Sequence, residues 1–164
     1  ASFSSTGERT GLIHGSIRDF TGSSAAHAGG AGAPSIQSSR SWRDFDMTFE
    51  GHEGSVLSVD TVDDESTFLT GSSDHSARLW SVLTGACLRV LVGHVDWVSA
   101  VSVLDGDTVL TGSYDRTVKV WDSSTGVCLR TYEGHKGQVT ALADSDDRTF
   151  LSASHDRTVK IWTV

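Results

Sequence analysis

A repeat of 41 residues constrains this chain more than any other feature of its sequence. Three tryptophans are spaced by this period, and so are three aspartates that each stand six residues before a tryptophan: Trp80, Trp121 and Trp162; Asp74, Asp115 and Asp156. A Gly-His pair precedes each aspartate by 21 or 22 residues, with histidines His52, His94 and His135. A fixed period of this length is typical of stacked copies of one supersecondary unit.

Each repeat is predicted to form short strands. Apolar and small polar residues alternate in segments 55–59, 97–103 and 138–142, the pattern of a half-buried strand. An acidic turn leads to a second strand, a Ser-x-Asp turn leads to a third strand that ends at the tryptophan, and a Thr-Gly turn leads to a fourth. The predicted fold is therefore all-β: a partial β-propeller of three four-stranded antiparallel blades, at about 44–85, 86–126 and 127–164.

Residues 1–43 differ in composition from the repeats and are predicted to be a low-complexity N-terminal extension or linker. Serine, glycine and alanine make up 23 of the first 41 residues. Such a segment buries too little apolar surface to offset its ordering entropy, so we expect it to be disordered by itself. An organelle transit peptide is an alternative, because acidic residues are scarce. A degenerate fourth blade is disfavoured, because residues 1–41 lack the repeated polar residues and the strand pattern.

The charge of the chain argues against nucleic acid and membranes as partners. Residues 1–41 hold three arginines against two acidic residues, a charge of +1; with a net charge of −8, the repeats therefore carry −9, which repels phosphate groups. No apolar run approaches the roughly 20 residues of a membrane span, and no secretory signal is evident. The expected compartment is the cytoplasm or the nucleus.

The two cysteines, Cys87 and Cys128, occupy the same place in their repeats, 41 residues apart. One cysteine per repeat at an apolar position predicts a small core residue. A disulfide or a metal-binding pair is the alternative, and nothing in the sequence requires an oxidising compartment.

The recurring serine or threonine, histidine and aspartate invite comparison with a hydrolase triad. One active site does not need three copies at a constant period, so the chain is predicted not to be an enzyme. A buried polar side chain without a hydrogen bond costs on the order of 1–3 kcal/mol. A network that joins the histidine, the hydroxyl, the aspartate and the indole N–H satisfies all four groups and pins the incoming loop to the blade.

In these residues and spacings the chain resembles three consecutive members of the WD-repeat (tryptophan–aspartate repeat) family, over about residues 44–164. The resemblance implies three structural tetrads: His52, Thr70, Asp74 and Trp80; His94, Thr111, Asp115 and Trp121; His135, Ser152, Asp156 and Trp162. Only the second repeat follows its tryptophan with the family's aspartate, Asp122, which lies outside the tetrad.

The number of repeats departs from the family, whose propellers usually have seven blades. The strand order begins with a fourth strand at about 46–50 and ends after the third strand of a blade. Three blades cannot close a ring, and an isolated arc would expose its sheet faces. We therefore expect the ring to be completed by the rest of a longer chain or by another subunit.

The resemblance also implies a partner-binding face where the incoming loops and tight turns converge. Its contact positions are the third and fifth residues after each histidine and the residue before each aspartate: Ser55, Leu57 and Ser73; Trp97, Ser99 and Tyr114; Gln138, Thr140 and His155. Trp97 and Tyr114 stand out because aromatic side chains anchor protein interfaces. The alternatives are that Trp97 packs on its own blade, and that His155 is an inert surface residue rather than a pH-sensitive contact.

The predicted function is a non-catalytic protein–protein interaction scaffold that acts within a larger protein or assembly. One alternative is the substrate-recognition propeller of a ubiquitin-ligase adaptor. The motif Thr-Gly-x-Cys-Leu-Arg, which precedes Gly-His here, resembles the repeats of such adaptors. Another is a mainly structural subunit of a large complex. No cofactor or metal is predicted, because phosphate loops, metal-ligand spacings and paired carboxylates in apolar settings are absent from the sequence. Calcium binding by the acidic turns is the minor alternative.

Overall fold

The computed structural model describes residues 46–62, 66–145 and 148–164; the predicted extension therefore lies outside the described residues. The strands are β1 (Val56–Thr61), β2 (Thr67–Ser72), β3 (Ser76–Ser81), β4 (Cys87–Val92), β5 (Val98–Asp105), β6 (Thr108–Ser113), β7 (Val118–Asp122), β8 (Cys128–Tyr132), β9 (Val139–Ser145), β10 (Thr149–Ser154) and β11 (Val159–Thr163). Within the described ranges there is no helix, and so none that is long and apolar enough to cross a membrane.

The strands form three antiparallel sheets, each hydrogen-bonded in chain order. Blade 1 contains β1–β4, blade 2 contains β5–β8, and blade 3 contains β9–β11. The register repeats with the sequence, since each tryptophan lies opposite the same position of the preceding strand: Phe68↔Trp80, Val109↔Trp121 and Phe150↔Trp162. The predicted all-β, partial-propeller fold is confirmed, with blade 3 having three strands among the described residues.

The prediction of a fourth strand at about 46–50 is wrong. These residues have no regular secondary structure. A fourth strand must pair with the third strand of its own blade, and the described residues contain no blade before blade 1. The segment is held by side-chain packing instead: the ring of Phe49 lies edge-on to Phe68 at 4.7 Å and to Trp80 at 6.0 Å.

The hydrophobic core lies between consecutive blades. One cluster joins Leu69 and Leu79 of blade 1 to Val98 of blade 2. A second cluster joins Leu110 of blade 2 to Val139 of blade 3, together with further residues of both blades. Blades 1 and 2, and blades 2 and 3, therefore bury facing surfaces against each other, which is the arrangement that the alternating strand pattern requires.

The outer strands β4 and β8 are reached through the predicted Thr-Gly turns. Gly85 and Gly126 adopt φ angles of 73° and 76°, the left-handed region that glycine enters without steric cost. Cys87 and Cys128 follow these turns as exposed free thiols, so the prediction that they are core residues is wrong. The reason is their place in the sheet, because an outer strand has a neighbouring strand on only one side.

Candidate functional site: structural tetrads and a partner-binding face

The second tetrad is a chain of short hydrogen bonds through His94. Its Nδ1 lies 2.7 Å from Asp115 Oδ2, and its Nε2 lies 2.7 Å from Thr111 Oγ1. The indole N–H of Trp121 donates to the same Thr111 oxygen at 2.8 Å. Because a carboxylate only accepts, Nδ1 carries the imidazole hydrogen and the Thr111 hydroxyl donates to Nε2. Every polar group of this tetrad is thereby satisfied.

The other two tetrads repeat this connectivity. In blade 1, His52 Nδ1 lies 2.7 Å from Asp74 Oδ2, and His52 Nε2 lies 2.7 Å from Thr70 Oγ1. The indole N–H of Trp80 donates to Thr70 Oγ1 at 2.8 Å. In blade 3, His135 Nδ1 lies 2.8 Å from Asp156 Oδ2, and His135 Nε2 lies 2.7 Å from Ser152 Oγ. The indole N–H of Trp162 donates to Ser152 Oγ at 2.7 Å. The structure therefore brings all twelve predicted tetrad residues together, four in each blade.

The aspartate of each tetrad also fixes two backbone segments. In blade 2, Asp115 accepts the N–H of Val95, next to the histidine, at 3.2 Å. It also accepts the N–H and the hydroxyl of Thr117, at 2.9 and 2.7 Å. This role of Thr117 was not predicted from the sequence, although a hydroxyl residue stands two positions after all three aspartates, at Ser76, Thr117 and Thr158.

These hydrogen bonds set the charge state of the aspartates. Burial raises the pKa of Asp115, but hydrogen bonds from His94 and Thr117 outweigh it and hold the pKa well below its ordinary value. The pKa of Asp74 is lowered in the same way, against burial, by Ser76 and His52. For Asp156 the hydroxyl of Thr158 is the main cause of the lowered pKa.

The hydroxyl groups of the tetrads are shielded from solvent. Thr70, Thr111 and Ser152 are 6%, 0% and 1% exposed. A nucleophile in this position is out of reach of a substrate, and its hydrogen is already donated to the histidine, so the geometry suits a structural network rather than acyl transfer. No cluster of three or more His, Cys, Asp or Glu side chains suited to a metal ion occurs in the described part of the chain.

The predicted partner-binding face has the same backbone geometry in each blade. The residue before the aspartate donates its N–H to the carbonyl three residues after the histidine, at 2.9 Å in all three blades: Ser73 to Ser55, Tyr114 to Trp97, and His155 to Gln138. The incoming loop and the tight turn are thus held side by side, and their side chains form pairs. In blade 1 the pair is Ser55 and Ser73, in which Ser55 N–H donates to Ser73 Oγ at 2.8 Å.

An aromatic row, defined here as Trp97, Tyr114 and His155, crosses from blade 2 to blade 3. The Trp97 and Tyr114 rings stack with centroids 5.4 Å apart and planes 27° apart. The Tyr114 and His155 rings lie 6.3 Å apart, and His155 Nδ1 lies 2.9 Å from Gln138 Oε1. Trp97 packs on Tyr114 of its own blade, as the alternative interpretation predicted, and leaves 44% of its surface exposed.

The fifth positions after the histidines differ from the aromatic row in their contacts. The hydroxyl of Ser99 donates to the Val139 carbonyl at 2.5 Å and links blade 2 to blade 3. The hydroxyl of Thr140 donates to the Ala153 carbonyl at 3.3 Å. Leu57 in blade 1 is 42% exposed. Ser99 and Thr140 therefore serve the architecture directly, whereas Leu57 leaves apolar surface open.

Antiparallel sheets carrying a buried His–Thr/Ser–Asp–Trp network define the class of protein as a β-propeller built from repeated blades. The family model described as WD domain, G-beta repeat, matches residues 44–81, 85–122 and 126–163. The chain belongs to the WD40 repeat family.

Several curated proteins are similar to parts of the chain. It is 36% identical over 61 residues to F-box/WD repeat-containing protein 10 of Mus musculus. It is 42% identical over 43 residues to eukaryotic translation initiation factor 3 subunit I of Aspergillus niger, and 41% identical over 61 residues to coatomer subunit beta'-1 of Arabidopsis thaliana. These matches cover 37%, 26% and 36% of this chain but only 6%, 13% and 7% of the relatives.

Solved structures match over a longer stretch. The WD40 repeats of RRP9 and the structure of U3-55K each superpose with a TM-score of 0.68 at 28% sequence identity over 71% of this chain. The chain covers 37% and 38% of those two structures, so it spans less than two fifths of either.

Proposed function

We propose that this chain is a non-catalytic protein–protein interaction scaffold that binds its partner through the aromatic row and the adjoining positions of blades 2 and 3. The observation that carries the proposal is the row itself. The rings of Trp97, Tyr114 and His155 neighbour one another in space, and the Trp97 side chain is 44% exposed. Large, rigid aromatic side chains with little entropy to lose are favoured anchors of protein interfaces.

The family and the relatives support this function. The WD40 fold generally serves protein interaction rather than catalysis, and two of the relatives are named as subunits, one of a translation initiation factor and one of coatomer. By analogy, this chain acts within a larger protein or assembly, with its ring completed by the rest of a longer chain or by another subunit. Its negative charge favours a partner with a basic surface over nucleic acid, and we propose the cytoplasm or nucleus as its compartment.

The test is a quantitative affinity purification with the 164-residue chain as bait. A double variant, Trp97→Ala with Tyr114→Ala, removes the anchors and is expected to lose captured proteins that the wild type retains. Leu83→Ala is the matched control, because Leu83 is an 81% exposed apolar residue in the turn between β3 and β4. If the double variant captures every protein that the wild type and Leu83→Ala capture, the aromatic row is not the binding site.

A second candidate function is substrate recognition for ubiquitin transfer. The similarity to F-box/WD repeat-containing protein 10 and the phrase Thr-Gly-x-Cys-Leu-Arg favour it. A mainly structural role in a large complex is the third.

Deletion of residues 1–41 separates the adaptor function from the structural function. Incorporation into a complex should fail if the extension threads along neighbouring subunits, and should persist if the propeller acts as an adaptor.

A further inference from the structure

A groove adjoins the aromatic row at the junction of blades 2 and 3. It is lined by residues 95–96 of the loop before β5, by 114–117 of the tight turn after β6, and by 133–135 of the loop that enters blade 3. Its volume of about 520 Å³ lies within the range of ligand-binding clefts, roughly 300–1,000 Å³. Both blades that form the groove are described, so its walls do not depend on what adjoins blade 1 or blade 3.

Acidic side chains outnumber basic ones in this groove. Asp96, Asp115 and Glu133 line it, whereas Arg116 is its one arginine or lysine. The carboxylate of Asp115 already accepts hydrogen bonds through both oxygens. Asp96 accepts the N–H of Trp97 through Oδ1 at 2.8 Å. Within the described ranges, no ion pair joins Asp96, Glu133 or Arg116 to another side chain, so the first two carboxylates are free to pair with a cation of another molecule.

Tyr114 is the wall that the groove shares with the aromatic row. Its ring stacks on Trp97 with centroids 5.4 Å apart, and its hydroxyl makes no hydrogen bond to another described residue. Val95 adds apolar surface to the groove and is 81% exposed. A long basic side chain lays its methylene stem on apolar surface and keeps its charged head among acceptors. The groove offers both, because two carboxylates and a tyrosine hydroxyl stand beside apolar walls.

The junction of blades 1 and 2 lacks this chemistry. The three positions that supply the free acceptors differ there: Gly54, Ser73 and Val92 stand in place of Asp96, Tyr114 and Glu133. The backbone is nevertheless held in the same way, since the N–H of Ser73 donates to the carbonyl of Ser55 at 2.9 Å, as Tyr114 does to Trp97. The repeat therefore fixes the frame of both grooves, and these three side chains distinguish one groove from the other.

We propose that the groove at the junction of blades 2 and 3 binds an arginine side chain of the partner protein, beside an apolar or aromatic partner residue that packs on Trp97. Asp96 and Glu133 come from different loops, and the planar guanidinium has five N–H donors that can reach two carboxylates at once, whereas lysine is a single point charge. The acidic character of the repeats adds an attractive long-range field. The inference rests on the proposed function, since it names what the partner presents to the aromatic row.

The test begins with a library of random short peptides displayed on phage and selected against the intact 164-residue chain. We expect arginine to be enriched next to an aromatic or large apolar residue. One enriched peptide is then synthesised with a fluorescent label, and its dissociation constant is measured by fluorescence anisotropy.

Removing the two free carboxylates should weaken the binding of this peptide. Asp96→Asn with Glu133→Gln keeps the shapes of both side chains, and the dissociation constant should rise about tenfold, severalfold for each lost charge-assisted contact. Glu53→Gln with Asp107→Asn is the matched control, because it removes two exposed carboxylates outside the groove. The control should change the dissociation constant by less than about twofold, since charges in solvent are screened by salt.

Changing the peptide tests the same contact from the other side. Citrulline has nearly the shape of arginine without its charge, and it should weaken binding to the wild type about tenfold but hardly affect binding to Asp96→Asn, Glu133→Gln, because both changes remove one interaction. A lysine peptide should bind less tightly than the arginine peptide. Arg116→Asn removes the cation that opposes the ligand and should lower the dissociation constant of the arginine peptide severalfold.

The outcomes separate this inference from the scaffold function. If Trp97→Ala abolishes binding but the enriched peptides lack arginine, or carry acidic residues that require Arg116, the aromatic row binds and the groove inference is wrong. A citrulline peptide that loses equal affinity for both proteins, or a lysine peptide that binds as tightly as the arginine peptide, would also overturn the inference. If Trp97→Ala keeps the affinity that Asp96→Asn, Glu133→Gln loses, the groove binds arginine and the proposed anchoring by the aromatic row is wrong.

Discussion

At the scale of single residues, the hydroxyl in the middle of each tetrad determines whether the network closes. Thr111 Oγ1 accepts from Trp121 Nε1 at 2.8 Å and donates to His94 Nε2 at 2.7 Å. Only a side chain that both accepts and donates can serve these two groups, and serine or threonine does so within the width of a strand. The spacing of the four residues made the network predictable from the sequence, because the same chemistry recurs in every repeat.

Removing this hydroxyl should destabilise the fold. Thr111→Val keeps the shape but leaves His94 Nε2 and the Trp121 N–H buried without partners, so the free energy of unfolding should fall by about 2–4 kcal/mol in urea denaturation. Thr111→Ser should restore most of the loss, since Ser152 has the same role in blade 3. Thr131→Val, on exposed strand β8, is the control and should change stability by less than about 0.5 kcal/mol. An equal effect of both valine variants would contradict the structural role of the tetrad.

The lowered pKa of Asp115 makes stability depend on pH. Below its ordinary value of 3.8, Asp115 binds a proton in the unfolded chain but not in the folded one. Its contribution is therefore complete above about pH 5 and is lost as the pH falls toward the folded-state pKa. Asp115→Asn should be less stable than the wild type at neutral pH and should lose less stability between about pH 5 and pH 3. Equal pH slopes in chemical denaturation would rule out this linkage.

At the scale of elements, the tight turn after each tetrad aspartate has a strained conformation. His75, Arg116 and Arg157 each follow an aspartate and have φ angles of 70°, 74° and 69°. The left-handed region costs a residue with a Cβ about 1–2 kcal/mol, and asparagine enters it more readily than arginine. The sequence indicated a turn here but not its conformation, because arginine, which holds this position in blades 2 and 3, is not typical of left-handed positions.

Relieving this strain should stabilise the chain. Arg116→Asn is expected to raise the free energy of unfolding by about 0.5–1 kcal/mol, measured by chemical denaturation. Lys136→Asn removes a positive charge from an exposed loop residue without a left-handed φ, and it should leave stability within about 0.5 kcal/mol of the wild type. A gain of the same size in both variants would mean that charge, rather than backbone conformation, is responsible.

At the scale of the whole propeller segment, blade 2 is the only described blade with a neighbour on both sides. Val98 on its face toward blade 1 and Val120 on its face toward blade 3 are both 0% exposed, whereas Val59 of blade 1 and Ile161 of blade 3 are open to solvent. Local stability follows buried apolar contact, so the three blades should not open with equal ease.

Hydrogen exchange should reveal this gradient. In a dilute, monomeric sample, backbone amides of β6 and β7 should exchange about tenfold or more slowly than those of β1 and β11. Uniform protection across all three sheets in dilute solution would show that the blades open as a single unit.

The sequence by itself determined the blade pattern and the tetrads, because both arise from short-range spacing: alternation along a strand, and four polar groups at fixed separations. Only the tertiary structure decided exposure and strand pairing, which depend on neighbours that are distant in the chain. Val118 and Val159 have the same place in their repeats, yet one is 1% and the other 65% exposed, since only the first has a blade in front of it and a fourth strand beside it. For the same reason Cys87 and Cys128 are exposed, residues 46–50 are not a strand, and Tyr114 meets His155 across two blades.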